Sequence, residues 1–444
     1  MSQTGFIVAI DLGTSNIVGV VGRKNEHNVI SIMAHAAIPS GNAIRRGLVY
    51  NIEETGAQVL RLKTILENKL NKKIGKAYIS IAGQSLHTIE YSEMRQLRGA
   101  EIVTEELISR LRKATEKYRP ELKRCYAIAD VEYLLDEKPE KNPVGITCSE
   151  IEANYQLIVG RPNLISNIEK SVCDKAKLQV ADYVVGPLAC ANIALTEEDK
   201  QLGCVFLDFG AGTTTMSVYK EGILRRMVVI PFGGKNITRD ICELSFIESE
   251  AEQYKIKFGK AKSQKDAPAL SSPFSKKKDV DMEELNHVII MRMNELVANI
   301  HEQIKLSGYE DELRAGIIIT GGASQLTNLP HYLSEKLKME VKKVSAQNKY
   351  INNAAEIVSD PAYTQVLGVL LAGDNDCEEV VVESYEEKFE IKEESDKKHS
   401  RSIFGGKGNR GTRRTKSETK TGGGFGKGLF DKFDKFFSEE EDDE

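Results

Sequence analysis

The chain has 444 residues, long enough for two or more domains, and an apolar share of 41% is enough for sizeable cores. A formal net charge of −5 argues against a nucleic-acid-binding protein, and seven scattered cysteines with no C-x-x-C pair argue against structural zinc or a disulfide framework and for a reducing compartment. The first residues carry no basic segment followed by an apolar core, so no signal peptide is expected, and no apolar run approaches the ~20 residues of a membrane-spanning helix.

In chain order, the first signal is an apolar run at 6–10 that delivers Asp11, then Leu12-Gly13-Thr14-Ser15-Asn16, then a second apolar run at 17–21. The pattern predicts a β-hairpin. Glycine in its turn lets the main chain approach an anion, and successive N–H groups with hydroxyls suit phosphate oxygens. Taken alone, such a turn is more often an ordinary one. Residues 28–82 read as strand, loop, helix, strand, with Val59, Leu62, Leu66 and Leu70 at helical spacing in a helix over 53–71. Next come a helix over 105–118, strands over 126–133 and 151–159, and a loop over 139–145. A helix over 164–177 and a strand over 178–185 lead into Gly186-Pro187-Leu188.

The second half repeats the first signal. The apolar run 205–207 delivers Asp208, followed by Phe209-Gly210-Ala211-Gly212-Thr213-Thr214-Thr215 and a returning strand. Overlaid, Asp11 falls on Asp208, Gly13 on Gly210 and Ser15 on Gly212. Two such hairpins, one in each half, predict a duplicated domain gripping phosphates between its copies, with Asp11 and Asp208 suited to hold Mg²⁺ through its waters. A third stretch, an apolar strand at 315–320 ending in Gly321-Gly322-Ala323, leaves room for a base or ribose against the backbone, although by itself it is more often a plain βα turn.

These three stretches, in this order, resemble the phosphate-1, phosphate-2 and adenosine motifs of the actin-like ATPase superfamily. AIDLGTSN, LDFGAGTTT and IIITGGASQL are similar to those of its FtsA family of cell-division proteins, over nearly the whole chain. The resemblance implies an α/β fold of duplicated actin-like (ribonuclease-H-like) domains. Domain 1A is expected over 1–83, 163–195 and 346–374, with an inserted subdomain 1C over 84–162. Domain 2A is expected over 196–230 and 309–345, with subdomain 2B over 231–308. A disordered linker over 375–423 would precede an amphipathic helix over 424–438. The ATP-binding residues implied are Asp11, Gly13, Thr14, Ser15, Asn16, Asp208, Gly210, Gly212, Thr213, Thr214, Gly233, Gly234, Glu252, Lys255, Gly321, Gly322 and Ala323. For Glu252 and Lys255 an exposed helix ion pair is an equal alternative. Related ATPases place a water-orienting acid at the position of Gly186. Its absence here predicts nucleotide binding with slow hydrolysis at most, and no catalytic residue is assigned.

By the same resemblance, 2B binds the C-terminal peptide of the division tubulin FtsZ. Arg292 and Lys305, on a long helix expected over 282–307, are possible partners for that acidic peptide, or simply solvated charges. A flexible loop is read over 260–281. The tail turns from Glu-rich (378–396) to basic (401–420). Wound at ~100° per residue, Phe425, Leu429, Phe430, Phe433, Phe436 and Phe437 then fall within roughly 140° of arc. Such a helix lies in a membrane interface, or docks on the protein's own core or a partner groove. The acidic end at 439–444 opposes anionic lipid. The reading is an ATP-binding protein that polymerises on the cytoplasmic side of the cell membrane at the division site, peripherally attached, tethers FtsZ and helps recruit other division proteins. The alternative is an enzyme of the same superfamily, a small-molecule kinase or a chaperone-type ATPase.

Overall fold

The computed structural model describes residues 5–261 and 282–379. The expected amphipathic helix with Phe425 to Phe437, most of the linker and nearly all of the 260–281 loop lie outside the described residues.

Strands β1 (Ile7–Leu12), β2 (Asn16–Lys24) and β3 (Ile30–Pro39) form an antiparallel meander. A two-stranded ribbon, β4 (Ile44–Arg45) and β5 (Leu48–Val49), leads to helix α1 (Ile52–Leu70) and strand β6 (Lys76–Ile81). Asn51 caps α1 by accepting from the Glu54 N–H, and Asn71 ends it in the left-handed region. Val59, Leu62 and Leu66, one helical stripe, are fully buried, each worth about 1.5–3 kcal/mol relative to exposure.

The inserted unit follows: β7 (His87–Ile102), α2 (Glu105–Lys117), β8 (Arg124–Leu135), β9 (Lys138–Glu140) and β10 (Thr147–Gly160). Strand β7 is not foreshadowed in the sequence. Most of its side chains are exposed and its inward face carries few apolar residues, Ile89, Tyr91 and Leu97, so its apolar pattern is weak; pairing with β10, from Val159 opposite His87 to Thr147 opposite Ile102, makes it a strand. The expected 139–145 loop likewise begins as strand, because β9 pairs with β8.

The chain returns through α3 (Asn163–Glu169), a π-helical segment (Lys170–Lys175), β11 (Gln179–Val185) and α4 (Gly186–Ala194). The second half comprises α5 (Glu197–Leu202), β12 (Cys204–Phe209), β13 (Thr214–Lys220), β14 (Ile223–Ile230), α6 (Gly234–Cys242), α7 (Glu248–Phe258), α8 (Met282–Ser307), β15 (Ile317–Thr320), α9 (Leu329–Leu337) and β16 (Val341–Lys343). Helices α10 (Ala355–Val358) and α11 (Thr364–Leu371) follow.

The two halves are copies in topology. One sheet runs β3-β2-β1-β6-β11, and the other contains β14-β13-β12-β15-β16, with antiparallel and parallel pairs in the same places. Asp11 pairs with Val18 and Asp208 with Thr215, the same seven-residue offset in both hairpins. The inserted sheet joins the second half through Val228 opposite His87. Arg225 clamps Glu132 with two hydrogen bonds, 3.0 and 2.8 Å, and the Leu224 N–H donates to Asp130 at 2.8 Å. Helices α4 and α11 tie the halves together. They cross so closely that a Cβ on Gly368 would fall 2.2 Å from the Ala189 carbonyl oxygen. Residues 375–379, the first of the expected linker, still belong to this body: the Asn375 N–H donates to the Tyr78 hydroxyl (2.8 Å) and the Cys377 N–H to the Phe6 carbonyl (2.8 Å).

Candidate functional site

The tips of the two hairpins meet. A Cβ on Gly212 would lie 2.5 Å from Thr14 Oγ1, so only glycine allows this approach. Each turn is held from outside. The Ser40 hydroxyl donates to the Gly13 carbonyl (2.6 Å), the Gly47 N–H to Thr14 Oγ1 (3.0 Å), and the Thr214 hydroxyl to the Phe232 carbonyl (2.8 Å). Among the described residues, the N–H groups of Gly13, Thr14, Ser15, Ala211, Gly212 and Thr213 donate to no protein acceptor. Two amide-rich turns with unused donors, held face to face, form an anion cradle.

Beneath the turns lie the two aspartates. Burial, and then the charge of Asp11, push the Asp208 carboxyl up to about 7. Burial also raises Asp11, while hydrogen bonds from Gln365 and Ser80 pull it back. The Cys190 thiol, in α4, is raised by its burial and by both carboxylates, which places it close to the pair and keeps it neutral. Asp11 and Asp208 thus share one interior site.

The second-half turns converge on the same place. The Gly234 N–H donates to the Gly210 carbonyl (3.0 Å) and the Lys235 N–H to the Ala211 carbonyl (2.7 Å). A Cβ on Gly233 would meet both carbonyl oxygens at 2.6 Å. The Lys255 ammonium donates to the Gly234 carbonyl (3.0 Å), Thr238 Oγ1 (2.9 Å) and Glu252 (2.7 Å), and the Thr238 hydroxyl donates to Glu252. At 12% exposure this lysine is no loose surface charge, and burial lowers its pKa against the opposing pull of Glu252. Gly321 (φ +88°) passes directly under Asp208, and Ala323 Cβ would contact a Cβ on Gly234 at 3.0 Å. Gly322 lies alongside, against Ala362, and Asn16 opens β2 opposite Pro39.

Thr14 and Gly212 also line a cavity of about 550 Å³ walled by the 41–50 loop, Gln84, the start of α3 and the start of α6. Five of its lining residues are cationic, Arg45, Arg46, Arg161, Lys235 and Arg239, and none is acidic. Lys235 alone of the five has a carboxylate partner among the described residues, Glu248 at 3.3 Å. The cavity is therefore an electropositive approach to the amide-lined turns.

Arg45, Arg46, Arg161 and Arg239, and also Ser80, Thr320, Thr364 and Gln365, are not among the site residues expected from the sequence. The last four had a signal: each is a polar residue in an apolar strand or helix. Arg292 and Lys305 lie away from the cleft on α8. Arg292 is held by Asp240 through two bonds (2.6 and 2.8 Å) and by Glu295, whereas Lys305 is exposed. Thirteen residues apart, they lie ~20 Å apart along the helix and do not share a face.

Residues 205–368 match the model of the family described as Cell division protein FtsA. The chain is 32% identical over 337 residues to the cell division protein FtsA of Porphyromonas gingivalis, an alignment covering 74% of this chain and 70% of that protein. The chain belongs to the FtsA family. The FtsA of Pseudomonas aeruginosa is 27% identical over 379 residues, covering 84% of this chain and 90% of that protein. Among solved structures, the PilM-PilN type IV pilus biogenesis complex shares the fold, with a TM-score of 0.57 at 14% identity over 82% of this chain and 97% of that one. This is a cell-division protein with the actin-like architecture of its family.

Proposed function

We propose that this FtsA-family chain binds ATP with a hydrated Mg²⁺ between its two halves, assembles with itself on the cytoplasmic side of the cell membrane, and holds the FtsZ ring there while later division proteins join. The observation that carries the nucleotide reading is the meeting of two amide-rich turns over a shared pair of aspartates. The pair also fits the cation. Two half-buried carboxylates acting on one another, with no lysine or arginine among the groups that shift either, leave charge for a divalent ion to offset. No group of three or more metal-ligating side chains exists among the described residues, so the ion would be held through its waters. Bound there, it would neutralise the polyphosphate; the turns, Lys235 and the wall arginines would hold the phosphates, and Glu252, Lys255 and Gly321 to Ala323 would bound the nucleoside.

Membrane attachment rests on the sequence of 424–438, where an amphipathic helix is expected. Six large apolar side chains on one face give weak, reversible anchoring, which many copies on one filament multiply. Co-sedimentation of the full chain with anionic vesicles, with and without Mg²⁺-ATP, tests the reading. Deleting 424–438 is expected to abolish binding, and Asp208→Ala to remove the nucleotide-dependent gain. Undiminished sedimentation of the deletion variant would contradict the membrane claim.

A further inference from the structure

The base of the cleft is closed by the first two residues of α11, which touch both halves. Thr320 pairs with Asp208 in the second sheet, and Ser80, one residue past the Ile10–Ile79 pair, stands level with Asp11 in the first. Thr364 Oγ1 lies 3.0 Å from Thr320 Oγ1, and the Gln365 amide donates to Ser80 Oγ at 3.3 Å and to Asp11 Oδ1 at 2.6 Å. A carboxylate oxygen only accepts, so the face of the amide turned to Asp11 is its NH₂ group. The other end, Oε1, has no partner among the described residues.

Position 186 meets the same group. A Cβ on Gly186 would fall 2.4 Å from Ser80 Oγ and 2.8 Å from Gln365 Cδ. Gln365 therefore fills, from another helix, space that a side chain at 186 would need. The chemistry of an amide matters here. A lysine or arginine would neutralise Asp11 and compete with a cation, and a glutamate would repel it. An amide orients the carboxylate and leaves its charge intact.

We propose that Gln365 is a positioning residue of the cleft: it takes the place left empty at Gly186 and aims the Asp11 carboxylate at the hydrated divalent cation that accompanies bound nucleotide. The inference rests on the Mg²⁺-ATP reading above. The test is calorimetric titration of the full chain with ATP, once in Mg²⁺ and once in EDTA, for wild type, Gln365→Leu, Gly186→Ala and the double variant.

Gln365→Leu is expected to weaken ATP binding in Mg²⁺ by about 10–100-fold, the usual range when a group that orients a metal ligand is lost, and to leave binding in EDTA unchanged. Gly186→Ala, which displaces the amide, is expected to give a similar loss, with the double variant no worse than the worse single one. Gln365→Leu affinity equal to wild type in Mg²⁺, or equal losses in Mg²⁺ and EDTA, would overturn the proposal. Failure of the wild-type chain to bind ATP at all would instead sink the nucleotide reading, and this inference with it.

Discussion

The two halves of the molecule share a topology, a hairpin register and an aspartate, yet they treat that aspartate differently. Asp11 is gripped: the Gln365 amide and the Ser80 hydroxyl donate toward it. At the equivalent place in the second half, Thr320 bonds to Thr364, and among the described residues Asp208 has no donor to offset its burial and its repulsion from Asp11. A second difference lies one residue further on. The first half carries Ile81, fully buried, whereas the second carries Gly321 at φ +88°. Duplication supplies the cradle and divergence specialises its sides. One carboxylate is fixed in place, and the other is left without such a grip beside an opened backbone.

The largest expected effect comes from removing the second difference. In Gly321→Ala the Cβ would face Asp208 Oδ1 at 2.2 Å and the Phe209 carbonyl oxygen at 2.5 Å, in a backbone region reserved for glycine. A loss of ~3 kcal/mol or more is expected in urea unfolding, together with loss of ATP-dependent stabilisation. Wild-type-like stability would mean that Gly321 is not pinned beneath Asp208.

A smaller effect sharpens the first difference. Because the folded pKa of Asp208, about 7, lies above its ordinary 3.8, folding favours the protonated form. That contribution is complete below about pH 4 and is lost as pH rises through about 7. Asp208→Asn is therefore expected to raise the nucleotide-free melting temperature by several degrees at pH 8 and to leave it unchanged near pH 4, while abolishing the Mg²⁺-ATP shift. An equal gain from Asp11→Asn at pH 8 would erase the asymmetry between the halves.

Much of this was legible in the sequence because glycine and aspartate after an apolar strand carry strong local meaning. Asp11 and Gly13, Asp208 and Gly210, and Gly321-Gly322 each mark a strand end with a special turn. Helices α1 and α8 were legible from their buried stripes. What stayed hidden depends on contacts distant in sequence. Strand β7 exists through its pairing with β10, not through its own pattern. Gln365 reaches Asp11 across 354 positions of sequence. The arginine wall is assembled from the 41–50 loop, residue 161 and α6, none of which is basic enough alone to attract notice.

A structure of the chain with Mg²⁺ and a non-hydrolysable ATP analogue tests the central claim most directly. The account predicts phosphate oxygens within hydrogen-bond distance of the N–H groups of both turns, at Thr14 and at Gly212, with Asp11 and Asp208 on the same hydrated cation. Phosphates bound away from either turn, or touching only one of them, would contradict it.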